Sequence, residues 1–460
     1  MKRLYLSLPK YLNFLIYIFP VTFILGNFFI NILIFFVSVL GIIYYKKEIF
    51  NFRDNIPLIL IFVFFFLIFI STGIESYNIS SNHKLVKSVL FFRYLFFLLV
   101  LRCMICKGDL NLQRILFSCL IFSSFVSIDV IFQYFTGVDI LGYKKTSGFA
   151  SGVFGEEYVA GGYIQKFSIL GFFSLSLLSG KKNYKFFSIS LGLLILCFIG
   201  TLLSGNRMPT LIFVFFFVLL ALFSLLTKIN LKTTIIVILV CAGFILTLSN
   251  NQLIKDRYIS FYAGIPKLSV LTNELKKEYL EYQPYKNSGT KFWHTEFFKK
   301  NEKNIKVLAA HTGHTQIYIT AIETFRESIF IGRGIKSFRH TCQERVHIPN
   351  RMCENHPHHF YLEILNDTGI IGFFILFSSV ILMLTNCLKK YFFKKNKISG
   401  VFNLAFYAVL FALIMEFFPL RSQGSFFSVW NASYVFFVLG ILSGLNDLKT
   451  KKFLKKRFNF

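Results

Sequence analysis

The chain has 460 residues, 55% of them hydrophobic, with a mean hydropathy of +0.60 and a formal net charge of +28. That apolar fraction excludes a water-soluble globular fold of this size, and the lack of alternating apolar and polar residues excludes a membrane β-barrel. The positive charge suggests nucleic acid as a partner, but its distribution along the chain points to a membrane instead.

A membrane helix needs roughly 20 mostly apolar residues, with about 17 as the lower limit. Uncharged runs of that kind include Ile56–Thr72 and Leu211–Thr227. Spans are predicted near 11–26, 27–45, 56–72, 87–101, 115–135, 163–179, 186–203, 209–227, 233–250, 368–388, 401–418 and 426–445. The first two share one apolar stretch, broken at Pro20 and at Gly26-Asn27, which predicts a tight hairpin. No small-residue cleavage pattern follows that stretch, so an uncleaved anchor is expected rather than a signal peptide. With these spans, one set of connections and tails carries 25 Lys and Arg, whereas the short connections on the opposite side carry six. Basic residues are retained in the cytoplasm, so both termini are expected there, with the chain in a bacterial inner membrane. The predicted fold class is an all-α integral membrane protein of about twelve helices. It divides into helices 1–9 (residues 1–250), a loop subdomain on the far side (251–362), and helices 10–12 with a basic tail (363–460). Nucleic acid is not an expected partner; membrane lipids are.

Within the spans, Arg93, Asp129, Gln133 and Glu416 stand out, because ionisable groups at membrane depth usually face a bundle interior or a cavity. Arg93 and Asp129 either pair with each other, or Arg93 lines a groove for lipid phosphate. Ser204-Gly205-Asn206-Arg207 closes the seventh predicted span. A lone interfacial arginine commonly anchors its helix, yet Arg207 lies at the face where the long loop emerges, and guanidinium grips two phosphate oxygens at once. Arg421, between the last two spans, is placed similarly, although structural anchoring suits it better.

The loop from Asn251 to about Leu362 contains eight of the nine His and 17 Lys and Arg. Its first half, Asn251–Lys306, reads as a polar insertion. Farther on, Ile317, Ala321, Phe325 and Ile329 recur at helical spacing opposite Gln316, Glu323, Arg326 and Glu327, predicting an amphipathic helix that Gly332 and Gly334 end. Cys342 and Cys353 fall in the same loop, where an oxidising compartment permits a disulfide. Six other cysteines lie in or beside spans and read as small buried hydrophobes.

Asn355-His356-Pro357-His358-His359 is the most distinctive stretch. Pro suits the first position of a helix, so a helix is predicted to start at Pro357 with His358 in its first turn. There the positive end of the dipole keeps imidazole neutral and ready to accept a proton, and the helix start can hold an anion. Two alternatives remain: zinc ligation, for which no neighbouring Cys or carboxylate pair completes a familiar spacing, and a histidine-lined wet loop. No Asp-x-Asp pair, P-loop or dinucleotide fingerprint occurs. No metal or cofactor is therefore expected, and a donor that brings its own leaving group fits better than a nucleotide-fuelled reaction.

At these residues the chain resembles the O-antigen ligase and polymerase superfamily. The likeness rests on His356-Pro-His358-His359-Phe-Tyr-Leu362-Glu363 through Gly369, with His359 where relatives usually carry Asn. It also rests on Ser204 to Arg207, Asp129-x-x-x-Gln133-Tyr-x-x-Gly137, Gly152-x-Phe154-Gly155-x-Glu157, and Pro419 through Phe427. The resemblance implies a membrane glycosyltransferase of the all-helical, GT-C-like type with its site on the periplasmic face. It implies metal-independent, inverting transfer of a glycan from undecaprenyl pyrophosphate to the lipid A–core oligosaccharide, or to a second lipid-linked glycan in a polymerase. In that scheme His358 is the base and Arg207, with Arg421 or Arg339, grips the diphosphate. His356 and Glu363 support them, and Arg93 is a candidate lipid-phosphate contact. Relatives carry a second loop arginine just before the amphipathic helix. Here His314 stands in that place, with Arg333 or Arg339 as substitutes. A transporter of lipid-linked sugar is the competing class, but it predicts inverted repeats and polar residues through the midplane, and neither is apparent.

Overall fold

The computed structural model describes residues 2–52, 55–78, 82–146, 148–178, 184–227, 243, 313–341, 353–393, 400–419, 421–422 and 424–448. The predicted span 233–250 apart from Gly243, the insertion Asn251–Lys306 and Cys342 lie outside the described residues.

Described residues form helices with no ladder of strands, only isolated bridges in the 138–149 turn region. Helices α1 (Lys2–Tyr17) and α2 (Phe19–Leu25) meet at a 48° bend next to Pro20, and Gly26 turns the chain into α3 (Asn27–Tyr45). The expected hairpin therefore exists, with an extra bend in its first arm. There follow α4 (Ile56–Asn78), α5 (Asn82–Lys107), α6 (Leu112–Thr136), α7 (Ala160–Gly171), α8 (Ser174–Leu178), α9 (Tyr184–Leu203) and α10 (Arg207–Thr227). Beyond the undescribed stretch come α11 (Gly313–Glu327), α12 (Phe338–Thr341), α13 (Phe360–Leu388), α14 (Gly400–Glu416) and α15 (Val429–Asp447).

Among the described residues eight helices are long and apolar enough to cross a membrane, or nine if the bent α1–α2 pair is one span. The chain is a multi-pass, all-α membrane protein; α7, α8 and α14 are apolar but shorter. The predicted span 163–179 is interrupted: α7 stops at Gly171, and α8 resumes at Ser174.

The centre of the bundle is α15, whose residues from Asn431 to Leu445 are all buried. A hydrophobic stretch buried all round is what a bundle core demands. It lies against α5, and Gly440 and Gly444 allow the approach. A methyl on Gly440 would come within 2.9 Å of Leu101, and one on Gly444 within 2.7 Å of Ile105. Small residues at such crossings let backbones pack by van der Waals contact, which lipid does not oppose. Interlocking aromatic rings fill the rest, including Phe19 on Phe437 and Phe65 on Phe436.

The bundle has two chemically distinct ends. At one, Asp447 accepts from Arg102 and Asn55, Asp109 accepts from Tyr45, and Lys390 donates to the backbone carbonyls of Leu445 and Leu448. At the other, the turn after α14 meets the histidines ahead of α13 through the His359–Pro419 bond and meets α10, which Arg207 opens, through the Phe215–Phe418 ring contact.

Candidate functional site

The site is assembled at the start of α13. The predicted helix start at Pro357 does not hold, because α13 begins at Phe360, with His359 as an extended N-cap at φ −150°. His358 instead adopts φ +53°, a left-handed conformation that non-glycine residues seldom take. Its position is therefore a turn ahead of the helix rather than the first helical turn, and the dipole argument for its neutrality applies less directly. The two rings of His356 and His358 lie 4.2 Å apart, tilted at 49°. Backbone strain of this kind costs about 1–3 kcal/mol and persists where surrounding structure enforces it, commonly at functional sites.

His359 enforces it from the C-terminal side. Its Nε2 lies 2.7 Å from the carbonyl oxygen of Pro419, which accepts, so Nε2 carries the proton. The ring also meets Tyr318 of α11 edge-on at 5.7 Å and Tyr361 at 5.4 Å. Burial pushes the His359 imidazole below its ordinary value, more than the Pro419 hydrogen bond raises it. A depressed histidine is protonated in the unfolded chain before the folded one, so stability should be flat above the ordinary value of 6.5 and fall as pH drops through it. Thermal unfolding of detergent-solubilised protein from pH 8 to pH 5 should show this loss. His359→Gln, which retains a donor toward Pro419, should show a smaller one.

Glu363 sits one turn along. Its carboxylate accepts from the Ser425 hydroxyl and the Phe426 amide, binding α13 to the turn before α15. Tyr361 donates to the Phe417 carbonyl, so three side chains of 359–363 grip the 417–426 segment. Glu363 is buried and occupied in this way, which makes it a support for the site more than an open substrate contact.

Asp367 was not anticipated from sequence. Its carboxylate accepts from the amides of Lys336 (2.6 Å) and Ser337 (3.1 Å) and from the Ser337 hydroxyl (2.7 Å). The amides of Arg333 and Gly334 donate to the carbonyls of Asn366 and Asp367, and Ile370 and Ile371 donate back to Ile329 and Phe330. Residues 329–337 are thereby stitched to α13 at Gly369, where φ is +64° and the helix breaks. A methyl on Gly369 would stand 2.2 Å from the Phe330 carbonyl oxygen. Gly369→Ala should cost at least about 1–3 kcal/mol from the left-handed backbone alone, seen as a lowered melting temperature of the purified protein.

Helix α11 matches its predicted face only in part: Ile317 and Ala321 are buried, Phe325 is half-buried, and Ile329 lies beyond the helix and is 42% exposed. His314 lies in the first turn of α11. Cys353 is disulfide-bonded.

The remaining candidates divide sharply. Arg207 opens α10, partly exposed, and among the described residues nothing ion-pairs or hydrogen-bonds with its guanidinium. The preceding turn is docked by Asn206, which accepts from the Gly161 amide and donates to the Tyr158 carbonyl. Arg421 is buried instead, donating to Glu416 (3.0 Å) and to the Met415 carbonyl. Glu416 also takes Lys166 at 2.6 Å, and Lys166 reaches Asn431 at 2.8 Å. Lys166, embedded in the apolar run of α7, escaped the sequence analysis. Arg333 is likewise paired, with Glu75 and Glu327, so it does not substitute for a free loop arginine. Arg93 does not pair with Asp129: it donates to the Leu90 carbonyl and to Tyr94, over whose ring it lies. Asp129 and Gln133 hold the loop after α6, accepting from Ile140 and Gly152 respectively. Arg339 is partly exposed, with its Nε buried and without a hydrogen-bond partner. Among the described residues no group of three or more His, Cys, Asp or Glu is arranged to hold a metal ion.

The two segments carrying the candidate chemistry, Ser204–Arg207 and His356–Gly369, both fall within residues 192–377, which match a family model described as O-Antigen ligase. No curated protein matches the chain. The matched family covers both ligases and polymerases.

Proposed function

We propose that this multi-pass membrane protein, whose residues 192–377 match the family model, is an O-antigen ligase. It transfers a polysaccharide from undecaprenyl pyrophosphate to the lipid A–core oligosaccharide at the periplasmic face of the inner membrane. The proposal is supported by a strained histidine turn, His356–His358, and by Arg207, which has no ion-pair or hydrogen-bond partner among the described residues, both inside residues 192–377.

In this mechanism the acceptor hydroxyl donates its proton to His358 as its oxygen attacks the anomeric carbon from the side opposite the diphosphate. The anomeric C–O bond breaks, the configuration inverts, and the lipid diphosphate leaves with the bonding pair. Arg207 stabilises the charge growing on that diphosphate. A pre-oriented donor of this kind is worth roughly 3–4 kcal/mol. No divalent ion has a step in the scheme. His356 orients its neighbour, and His359, Tyr361 and Glu363 hold the turn on the 417–426 segment. Arg421 belongs with Glu416 in the frame rather than with substrate.

A polymerase of the same family would use the same residues with a second lipid-linked glycan as acceptor, and the compact His-Pro-His turn and Gly-Ser-Phe-Phe segment favour the ligase. The envelope of a deletion strain separates them. Full-length polysaccharide stranded on its lipid carrier beside bare core supports the ligase; single repeat units support the polymerase; an unchanged envelope contradicts both.

A further inference from the structure

Exposed side chains on two membrane-crossing helices mark where lipid meets the bundle beside the candidate site. On α4 they recur every three or four residues, from Ile59 through Val63, Phe66 and Ile70 to Ile74. On α13 none of residues 360–370 is exposed, and the apolar strip begins at Ile371 and runs on to Phe374 and Ile381. Above Ile371 its place is taken by the turn after α11. There the Ile370 amide donates to the Ile329 carbonyl at 2.8 Å and the Ile371 amide to the Phe330 carbonyl at 3.2 Å. The Phe330 backbone therefore stands beside the first exposed residue of α13, and Phe330 is itself 68% exposed. Toward α4 the same loop is fixed by the Ile335 amide, which donates to the Thr72 hydroxyl at 3.0 Å, between Ile70 and Ile74.

Irregular backbone persists at membrane depth only where protein satisfies its polar groups. This turn meets that condition at its tip, since the carbonyls of Ile329 and Phe330 are both taken by α13 amides. The Gly332 amide donates to the Ser328 carbonyl, and the Ser328 hydroxyl donates to the Gly332 carbonyl. Charges flanking the turn are paired, Arg326 with Glu323 and Arg333 with Glu327 and Glu75. In water, isoleucine and phenylalanine at a loop tip leave apolar area hydrated; against acyl chains the same area leaves water. Tyr77, close to one turn beyond Ile74 and 86% exposed, is the kind of amphipathic ring that sits at the boundary between lipid and water.

We propose that Ile329 and Phe330 form an interfacial anchor: the turn after α11 enters the outer edge of the bilayer and is covered by phospholipid acyl chains. Continuity with the exposed strips of α4 and α13 selects acyl chains over a second copy of this chain as the occupant. The sequence alone puts residues 251–362 outside the membrane; this turn returns to its border. The anchor holds the loop at headgroup height, while Asp367 ties residues 336–337 to the helix that His359 caps. It does not depend on the transfer scheme.

The test reads tryptophan fluorescence of the full-length protein in phosphatidylcholine vesicles whose acyl chains are brominated near the headgroup. Trp293→Phe and Trp430→Phe remove the native signal, and Phe330→Trp, Phe374→Trp or Glu156→Trp then supplies a single reporter. Phe374 is the lipid-facing standard and Glu156 the exposed loop standard. Bromine should quench Phe330→Trp at least as strongly as Phe374→Trp, and bromine at the chain ends should quench it less. Aqueous iodide should quench it several-fold less than Glu156→Trp. If the tryptophan-free background does not fold, the emission difference between Phe330→Trp and the unaltered protein gives the same reading. Iodide quenching equal to that of Glu156→Trp places the turn in water and overturns the anchor. Shielding from both bromine and iodide shows that protein covers the turn, whether a second copy or another part of this chain, and overturns it as well. None of these readings involves glycan transfer, so a failed anchor and a failed transferase are told apart.

Discussion

His358→Ala is expected to reduce glycan transfer by a factor of about 10²–10⁴, the usual worth of a positioned base. Its melting temperature should stay near that of the unaltered protein, because His359 and Tyr361 hold the turn on the Pro419 and Phe417 carbonyls. Removing a side chain at φ +53° does not relieve the left-handed backbone, so no compensating gain is expected. His358→Gln should be nearly as inactive, since an amide does not take a proton at neutral pH. Arg207→Ala should lower the rate by about 10²–10³, corresponding to roughly 3–4 kcal/mol of lost transition-state stabilisation. Arg207→Lys should recover only part, because an ammonium does not reproduce the two-pronged grip. Steady-state transfer by purified variants, with donor and acceptor varied in turn, measures both. Normal turnover by either variant removes that residue from the mechanism.

The largest loss of stability is expected at Glu416. Its carboxylate sits between Lys166 and Arg421, all three buried. Glu416→Leu leaves two cations without a counter-charge in a dry interior, and breaking a buried ion pair in this way costs about 3–5 kcal/mol. Low recovery of folded protein and a steep fall in melting temperature should follow. Replacing the whole set, as Lys166→Met, Glu416→Leu and Arg421→Met together, should recover much of that stability, since apolar packing often matches a buried ion network. Transfer should remain impaired in the triple variant, because Arg421 and Glu416 also fix the turn whose Pro419 carbonyl holds His359. Full recovery of transfer would place that turn outside the catalytic frame.

Much of the membrane architecture was legible because it depends on hydropathy, which is local. The hairpin at Gly26 and the apolar helices α3 to α6 follow from uninterrupted apolar runs bounded by charge or glycine. The interruption between α7 and α8 was not legible, since Phe172 and Phe173 carry no helix-breaking signal. Pairings between distant residues were hidden for the same reason. Lys166 lies in an apolar run and meets Glu416 across 250 positions of sequence. Asp367 reads as a helical residue, yet it caps a segment 30 residues earlier. The start of α13 shows where local rules mislead. Pro357 satisfies the requirement for a first helical residue, but His358 is left-handed and His359, bonded to Pro419, is extended, so the helix starts only at Phe360. Gly332 and Gly334 read as helix breakers, and together with Gly369 they mark close backbone contact: Gly332 and Gly369 where the loop crosses α13, Gly334 where it meets α4.

Convergence of residues 207 and 358 on one cavity underlies the mechanism, and intramolecular cross-linking addresses it most directly. In a variant with Arg207→Cys and His358→Cys, and with the buried native thiols replaced by serine, a short bifunctional thiol reagent should join the two positions within one chain. Binding of a lipid diphosphate should slow the reaction. If each cysteine reacts alone but no link forms, with lipid present or absent, the base and the guanidinium do not share a site.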